Sequence, residues 1–308
     1  MTMLDMAVRD RADAAVTAWY GRGAAPVLPE RTAFRVENRW TAMAARALSG
    51  AASLRVTTAY AVVLVAVSTT LTALGPHARD VAVSRMSTNL HNLARGHLST
   101  LVGSAFVDDG GEVYAWLPGL VCLLALGELI WRSTGLLIAF TVGHIGTTLL
   151  VAVGLVAAVK AGWLPISVAH ANDVGISYGA VGVLGALTAS IPSRWRRIWI
   201  AWWLGITVAA AWAADFDFTA VGHILALLLG IGVSSRLPSA ARWSSVHVVL
   251  LIAGVTFGFL MVSGSSMVAL VGGLAGMLLA FLASPILWSR NGYTQGVHQS
   301  QPCFTVTS

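Results

Sequence analysis

An all-α bundle of membrane-crossing helices is the fold class this sequence predicts, on three observations. Charged residues make up 10% of the 308 positions and hydrophobic ones 56%, against roughly 25% charged in ordinary soluble domains. The apolar residues gather into long runs, each close to the ~20 residues that a helix needs to cross a bilayer. The 19 basic residues, all arginine except Lys160, collect on alternate connections between those runs, which is the asymmetry that sets membrane topology.

Taken in order, the runs fall at about 54–75, 113–131, 136–159, 174–191, 195–213, 218–235, 246–263 and 266–288. Crossings in this order with both termini cytoplasmic put every basic residue inside except Arg79, Arg85, Arg95 and Lys160. The same order leaves Asp108, Asp109, Asp173, Asp215 and Asp217 outside. The expected setting is a multi-pass protein of the cell membrane, with the lipid bilayer as its surroundings. Nucleic acid is not an expected partner, because the arginines lie in short separate loops and form no stripe.

Residues 1–53 are rich in Ala and Arg, and Pro26 and Pro29 break them into pieces. They read as a cytoplasmic region, partly amphipathic or disordered. Asp5, Asp10 and Asp13, and the lack of an apolar run before Leu54, argue against a cleavable signal. The core of six helices occupies 54–235, and its outer stretch 76–112 is too polar to span. Leu93, Leu98, Leu101, Val102 and Phe106 predict a helix lying in the interface there. Two more helices follow over 236–288, then a polar tail, 289–308, expected to be disordered and cytoplasmic. Trp195, Trp199, Trp202 and Trp203 crowd one half of the fifth run, as tryptophans do at headgroup level. Cys122 and Cys303 lie too far apart for a metal spacing or a disulfide framework.

Two polar residues stand out. Ser177 lies just inside the fourth run and His223 just inside the sixth, and both runs enter from the outer side. At ~1.5 Å per residue the two sit at similar depth. Gly175, Gly179, Gly182 and Ala186 on one run, with Gly222, Ala226 and Gly230 on the other, permit close helix approach. A serine becomes a nucleophile only when a base takes its proton, and neutral imidazole is the usual base near pH 7. Backbone N–H groups near Ser177, with Gly175 letting the chain bend, would steady an oxyanion. The bland reading is a packing serine bonded back to a helix carbonyl, and spacing leaves both open. His144 reads as a packing or hydrogen-bonding histidine, Glu128 as an ion-pair partner of Arg132 four residues on, and Asp173 as a helix cap.

Gly175-Ile176-Ser177 before a Gly/Ala helix resembles the G-x-S motif of rhomboid intramembrane serine proteases. Gly222-His223-Ile224-Leu225-Ala226 with Gly230 is similar to their sixth-helix histidine motif, and Gly127-Glu128 through Gly135-Leu136-Leu137 to their second-to-third helix junction. Ser87–Leu93, Val142–Leu149 and Asp173–Gly179 resemble the divergent rhomboid-like membrane proteins of actinobacteria. The resemblance covers about 85–235. It implies a six-helix rhomboid-like core plus two C-terminal transmembrane helices, with Ser177 as nucleophile and His223 as general base. The implied activity is cleavage of single-span membrane proteins near the outer face, with no metal and no organic cofactor.

The sequence departs from that family at three places. Tyr178 stands where proteolytic members have Gly directly after the serine, so it either crowds the nucleophile or replaces a packing aromatic. Val181 stands where an aromatic packs on the histidine. The second run lacks the H-x-x-x-N whose side chains help hold the oxyanion, and Asn92 and His97 are the candidate substitutes. These departures support a rival expectation, a catalytically inactive rhomboid-fold protein that binds membrane clients. A small-solute transporter using His144, Glu128 and His223 is a third, weakened by the scarcity of intramembrane acids.

Overall fold

Each apolar run is helical over its described residues in the computed structural model, which describes 53–107, 113–167, 176–239, 243–264 and 266–295, with side chains to 283. The helices are α1 (Arg55–Leu74), α2 (Pro76–Met86), α3 (Leu90–Ala94), α4 (Thr100–Gly103), α5 (Val113–Thr141), α6 (Thr147–Lys160), α7 (Ser177–Ala186), α8 (Ser193–Ala213), α9 (Phe218–Ser234), α10 (Ser245–Ser263) and α11 (Met267–Gln295). No strand occurs among the described residues. The fold is therefore an all-α bundle, as expected. By length and composition α1, the continuous Val113–Lys160 run and α10 can each cross a membrane, while Ser177–Ala189, Phe218–Ser234 and Met267–Ala283 are apolar but shorter.

The Val113–Lys160 run is two arms rather than one rod. At Arg132 the backbone turns to φ 63° and ψ 174°, a region that non-glycine residues rarely occupy. Tyr114 bonds Thr69 near the far end of α1 at 2.9 Å, whereas Glu128 bonds Val56 and Thr57 at its start. The first arm thus runs antiparallel to α1. Beyond the break, Ser133 meets Glu128 and Phe140 packs edge-on against Tyr60 at 5.2 Å, so the second arm climbs back beside α1. Gly127 and Gly135 leave room for Trp131 at the reversal, and its indole N–H donates to the Ser190 hydroxyl at 3.2 Å. Trp243 donates to the Ser190 carbonyl at 3.3 Å. These junctions gather Arg132, Arg194, Arg196, Arg197 and Arg236 at one end of the bundle, hereafter the arginine-rich end.

At the centre stands α7, with Tyr178 through Ala186 all buried. A helix enclosed on every side must be apolar all round, and small residues let its neighbours touch its backbone. On one side Gly182 meets the Gly143 backbone, where a Cβ would come within 2.5 Å of the Gly143 Cα. On another, Gly185 faces the Leu227 and Ile231 backbone, and Gly230 faces Gly182 and Ala186. A third side, Leu184, lies beneath Gly258 of α10.

The last two helices are built into the bundle. Phe257 of α10 lies over Gly119 and Gly254 packs on Leu123, so α10 covers the first arm of α5. Gly272, Gly273 and Gly276 of α11 interlock with Ala201, Gly205, Ile206 and Ala209 of α8.

Two sequence expectations need correction. The outer stretch is no single interfacial helix: it breaks into α2, α3, α4 and a 3-10 turn at Ser104–Phe106. Asn92 and Asn89, through their side-chain bonds to nearby backbone, favour turns over a continuous helix. The polar tail also begins as helix, since α11 continues past Trp288 to Gln295. The N-terminal region 1–52 and the rest of the tail lie outside the described residues.

A notch at Ser177 and a separate histidine

Ser177 is the first residue of α7, and Ile176 before it supplies no side-chain cap. The half-buried hydroxyl opens on a cavity of about 560 Å³ bounded by α5, α7 and α10. Ala115, Trp116 and Gly119 form one wall, and Thr256, Phe257 and Met261 form another. Trp116 and Phe257 stack at 6.3 Å across the floor. The described surroundings of Ser177 are thus two largely apolar helices, with the Thr256 hydroxyl and the Trp116 indole as their polar groups.

His223 is not among the residues that line this cavity. Asp217 caps α9, accepting from the Ala220 N–H at 2.6 Å, and this fixes the first turn that carries the imidazole. His223 as a residue is 9% exposed. Its neighbour on α7 is Tyr178, edge-on at 5.6 Å between centroids. The tyrosine ring lies against Gly222, where any side chain would collide with it. His223 Nε2 is buried and has no hydrogen-bond partner among the described residues, so the Ser177 hydroxyl does not bond to it. Helical geometry accounts for this ring contact falling to Tyr178. Successive residues point about 100° apart, so with Tyr178 aimed at α9, Ser177 is aimed at α5 and α10. Of the two readings of Tyr178, the one in which it supplies the histidine's packing aromatic matches this contact.

The other candidates are engaged in structure. The Asn92 amide donates to the Ser84 and Ser87 carbonyls at 3.1 and 2.8 Å, which stitches the outer stretch together. His97 is exposed, and its carbonyl accepts from the Thr100 hydroxyl at 2.7 Å. Neither is among the residues that line the cavity at Ser177. Gly175 and Asp173 lie outside the described residues.

Glu128 does not pair with Arg132. The carboxylate is 2% exposed and accepts from Val56 N–H (3.0 Å), Thr57 N–H (2.8 Å), Thr57 hydroxyl (2.7 Å) and Ser133 hydroxyl (2.6 Å). It caps the free N–H groups at the start of α1, where negative charge is favoured. The helix break turns Arg132 outward, which defeats the four-residue spacing assumed for an unbroken helix.

His144 bonds to a residue that the spacing arguments passed over. It occupies a π-turn, Val142–Gly146, and shares a 3.1 Å hydrogen bond between Nε2 and the hydroxyl of Ser104, which is 0% exposed. Tyr60 donates to the Ala105 carbonyl at 2.5 Å, and its ring lies 5.1 Å from that of Phe106. The end of the outer stretch is thereby pinned into the bundle. Replacing Ser104 with alanine is expected to orphan a buried imidazole nitrogen at a cost of about 2 kcal/mol. Amide exchange at 100–106 should then speed up while that of α9 stays unchanged.

A family model described as rhomboid-like protein matches residues 53–240. The match includes the notch serine, His223 and the Glu128 junction, and ends before α10. No curated protein and no solved structure matches the chain.

Proposed function

The chain belongs to the rhomboid-like protein family, and on that premise we propose that it is a non-cleaving member. In this reading it holds an apolar segment of a single-span membrane protein in the notch beside Ser177 and does not hydrolyse it. The observation that carries the proposal is on α7, where Tyr178 packs on the His223 ring while His223 Nε2 receives no hydrogen bond from Ser177. A general base must come within ~2.6–3.2 Å of the hydroxyl that it deprotonates, and the α7 group packed on this imidazole is the Tyr178 ring. Gly179 supports this reading. Proteolytic relatives carry glycine directly after the reacting serine, and here the residue directly before that glycine is Tyr178.

The notch itself supports binding. Among the described residues its apolar walls carry three polar side-chain groups, the Ser177 and Thr256 hydroxyls and the Trp116 indole N–H, which suits an apolar chain offering a few hydrogen-bonding groups. The arginine distribution supports a cell-membrane location with the arginine-rich end and both termini cytoplasmic.

The test is labelling of the purified full chain by a serine-directed fluorophosphonate. No labelling of Ser177 is expected. Labelling that disappears in both Ser177→Ala and His223→Ala would overturn the proposal and restore a proteolytic pair. A photoreactive residue in place of Met261 is expected to cross-link to a single-span helix supplied in the same vesicles, equally well with Ser177→Ala.

A further inference from the structure

A second cavity, of about 480 Å³, opens at the other end of the bundle. Its walls include Trp195, Trp199 and Trp202 on α8, Trp243 and Leu251 at and along α10, and Met277 of α11. Trp195 to Trp202 spans seven residues of helix, or roughly 10 Å of depth. A helix of ~10–12 Å diameter would need about twice the cross-section that this volume allows over that depth. A single hydrocarbon chain fits.

The rim is cationic. The Arg194 guanidinium lies 5.9 Å from the centre of the Trp195 ring, a geometry in which the ring face holds the cation. Arg194 and Arg197 are exposed. Arg196 is committed inward, donating to the Ile191 and Ala189 carbonyls at 2.9 and 2.8 Å. The described acid at this end, Glu128, is engaged by Val56, Thr57 and Ser133, so nothing described there neutralises the arginines at the rim. An apolar slot one chain wide beneath an unneutralised cation complements one kind of amphiphile.

We propose that the tryptophan cleft binds an anionic phospholipid, with one acyl chain between α8, α10 and α11 and the phosphate on Arg194. The site is independent of the Ser177 notch and does not rest on whether that serine reacts. Its location at the arginine-rich end is where an anionic leaflet adds to attraction.

The experiment uses the full chain in micelles and reads tryptophan fluorescence. Phosphatidylglycerol with brominated acyl chains is titrated against phosphatidylcholine with the same chains. Saturable quenching by the anionic lipid is expected at about fivefold lower concentration, the advantage of one arginine near a lipid headgroup. Arg194→Gln is expected to erase most of that difference, and Met277→Trp to block saturable quenching by both lipids. Glycerol phosphate alone should not compete. Equal quenching by the two lipids, or a preference untouched by Arg194→Gln, overturns the proposal. The surface change Arg194→Gln decides the matter even if the cleft-filling variant fails to fold.

Discussion

Replacing Gly182 with valine is expected to destroy the folded bundle, at a cost upwards of about 3 kcal/mol. The site has no slack. Even a methyl group would sit 2.5 Å from the Gly143 Cα and 3.2 Å from the Ala139 carbonyl oxygen. Both are backbone atoms of the second arm, and they cannot rotate aside as a side chain would. Moving α7 away from that arm drives it into α9, where Gly230 already rests on the Gly182 carbonyl. Gly154→Val on α6 and Gly232→Val on α9 are the controls, because a Cβ there meets nothing within 4 Å. Titration of micellar protein with sodium dodecyl sulfate should show early loss of helicity for Gly182→Val alone.

The second large effect is expected from Glu128→Ala, about 4 kcal/mol. Four donors bond this carboxylate. Hydrogen bonds to a charged group are worth ~1.5–3 kcal/mol each, and donors left buried without partners add desolvation cost. The damage should start locally, at the first turn of α1, with Val56 and Thr57 amides exchanging fastest. Glu128→Gln keeps one carbonyl oxygen and is expected to lose roughly half as much. Arg132→Ala should be close to neutral, since Arg132 is exposed and is not a partner of Glu128. Comparable losses for the arginine and glutamate variants would revive the ion pair.

What the sequence disclosed follows from the length scale of each signal. The apolar runs became helices because twenty residues of hydropathy survive errors of a residue or two at their ends. The glycines at 175–186 and 222–230 rightly marked α7 and α9 as neighbours, since only closely packed backbones need so many small residues. The facing of Ser177 was beyond reach by that route. One residue along a helix is a turn of about 100°, and Gly-Ile-Ser-Tyr-Gly offers two registers, a residue apart. A signal was present in the pairing of Tyr178 with Gly222, a bulky ring opposite a residue with no side chain.

Glu128 failed for a related reason. Four-residue spacing implies contact only within an unbroken helix, and the backbone at Arg132 departs from one. Asn92 looked like a loose polar group available to an active site, because spacing cannot reveal a chain that folds back on the Ser84 and Ser87 carbonyls. Ser104 was hidden by its distance in sequence, 40 positions before His144. In each case composition located the helix and the third dimension decided the partner.

The most direct test concerns what the imidazole of His223 senses. With histidine rings labelled in ¹³C, Tyr178→Leu removes the aromatic edge that lies against the ring and should shift its resonances. Ser177→Ala, altering a side chain that faces the α5–α10 notch, should leave them where they are. A His223 signal that moves with Ser177→Ala as much as with Tyr178→Leu would put the hydroxyl at the imidazole and contradict the account.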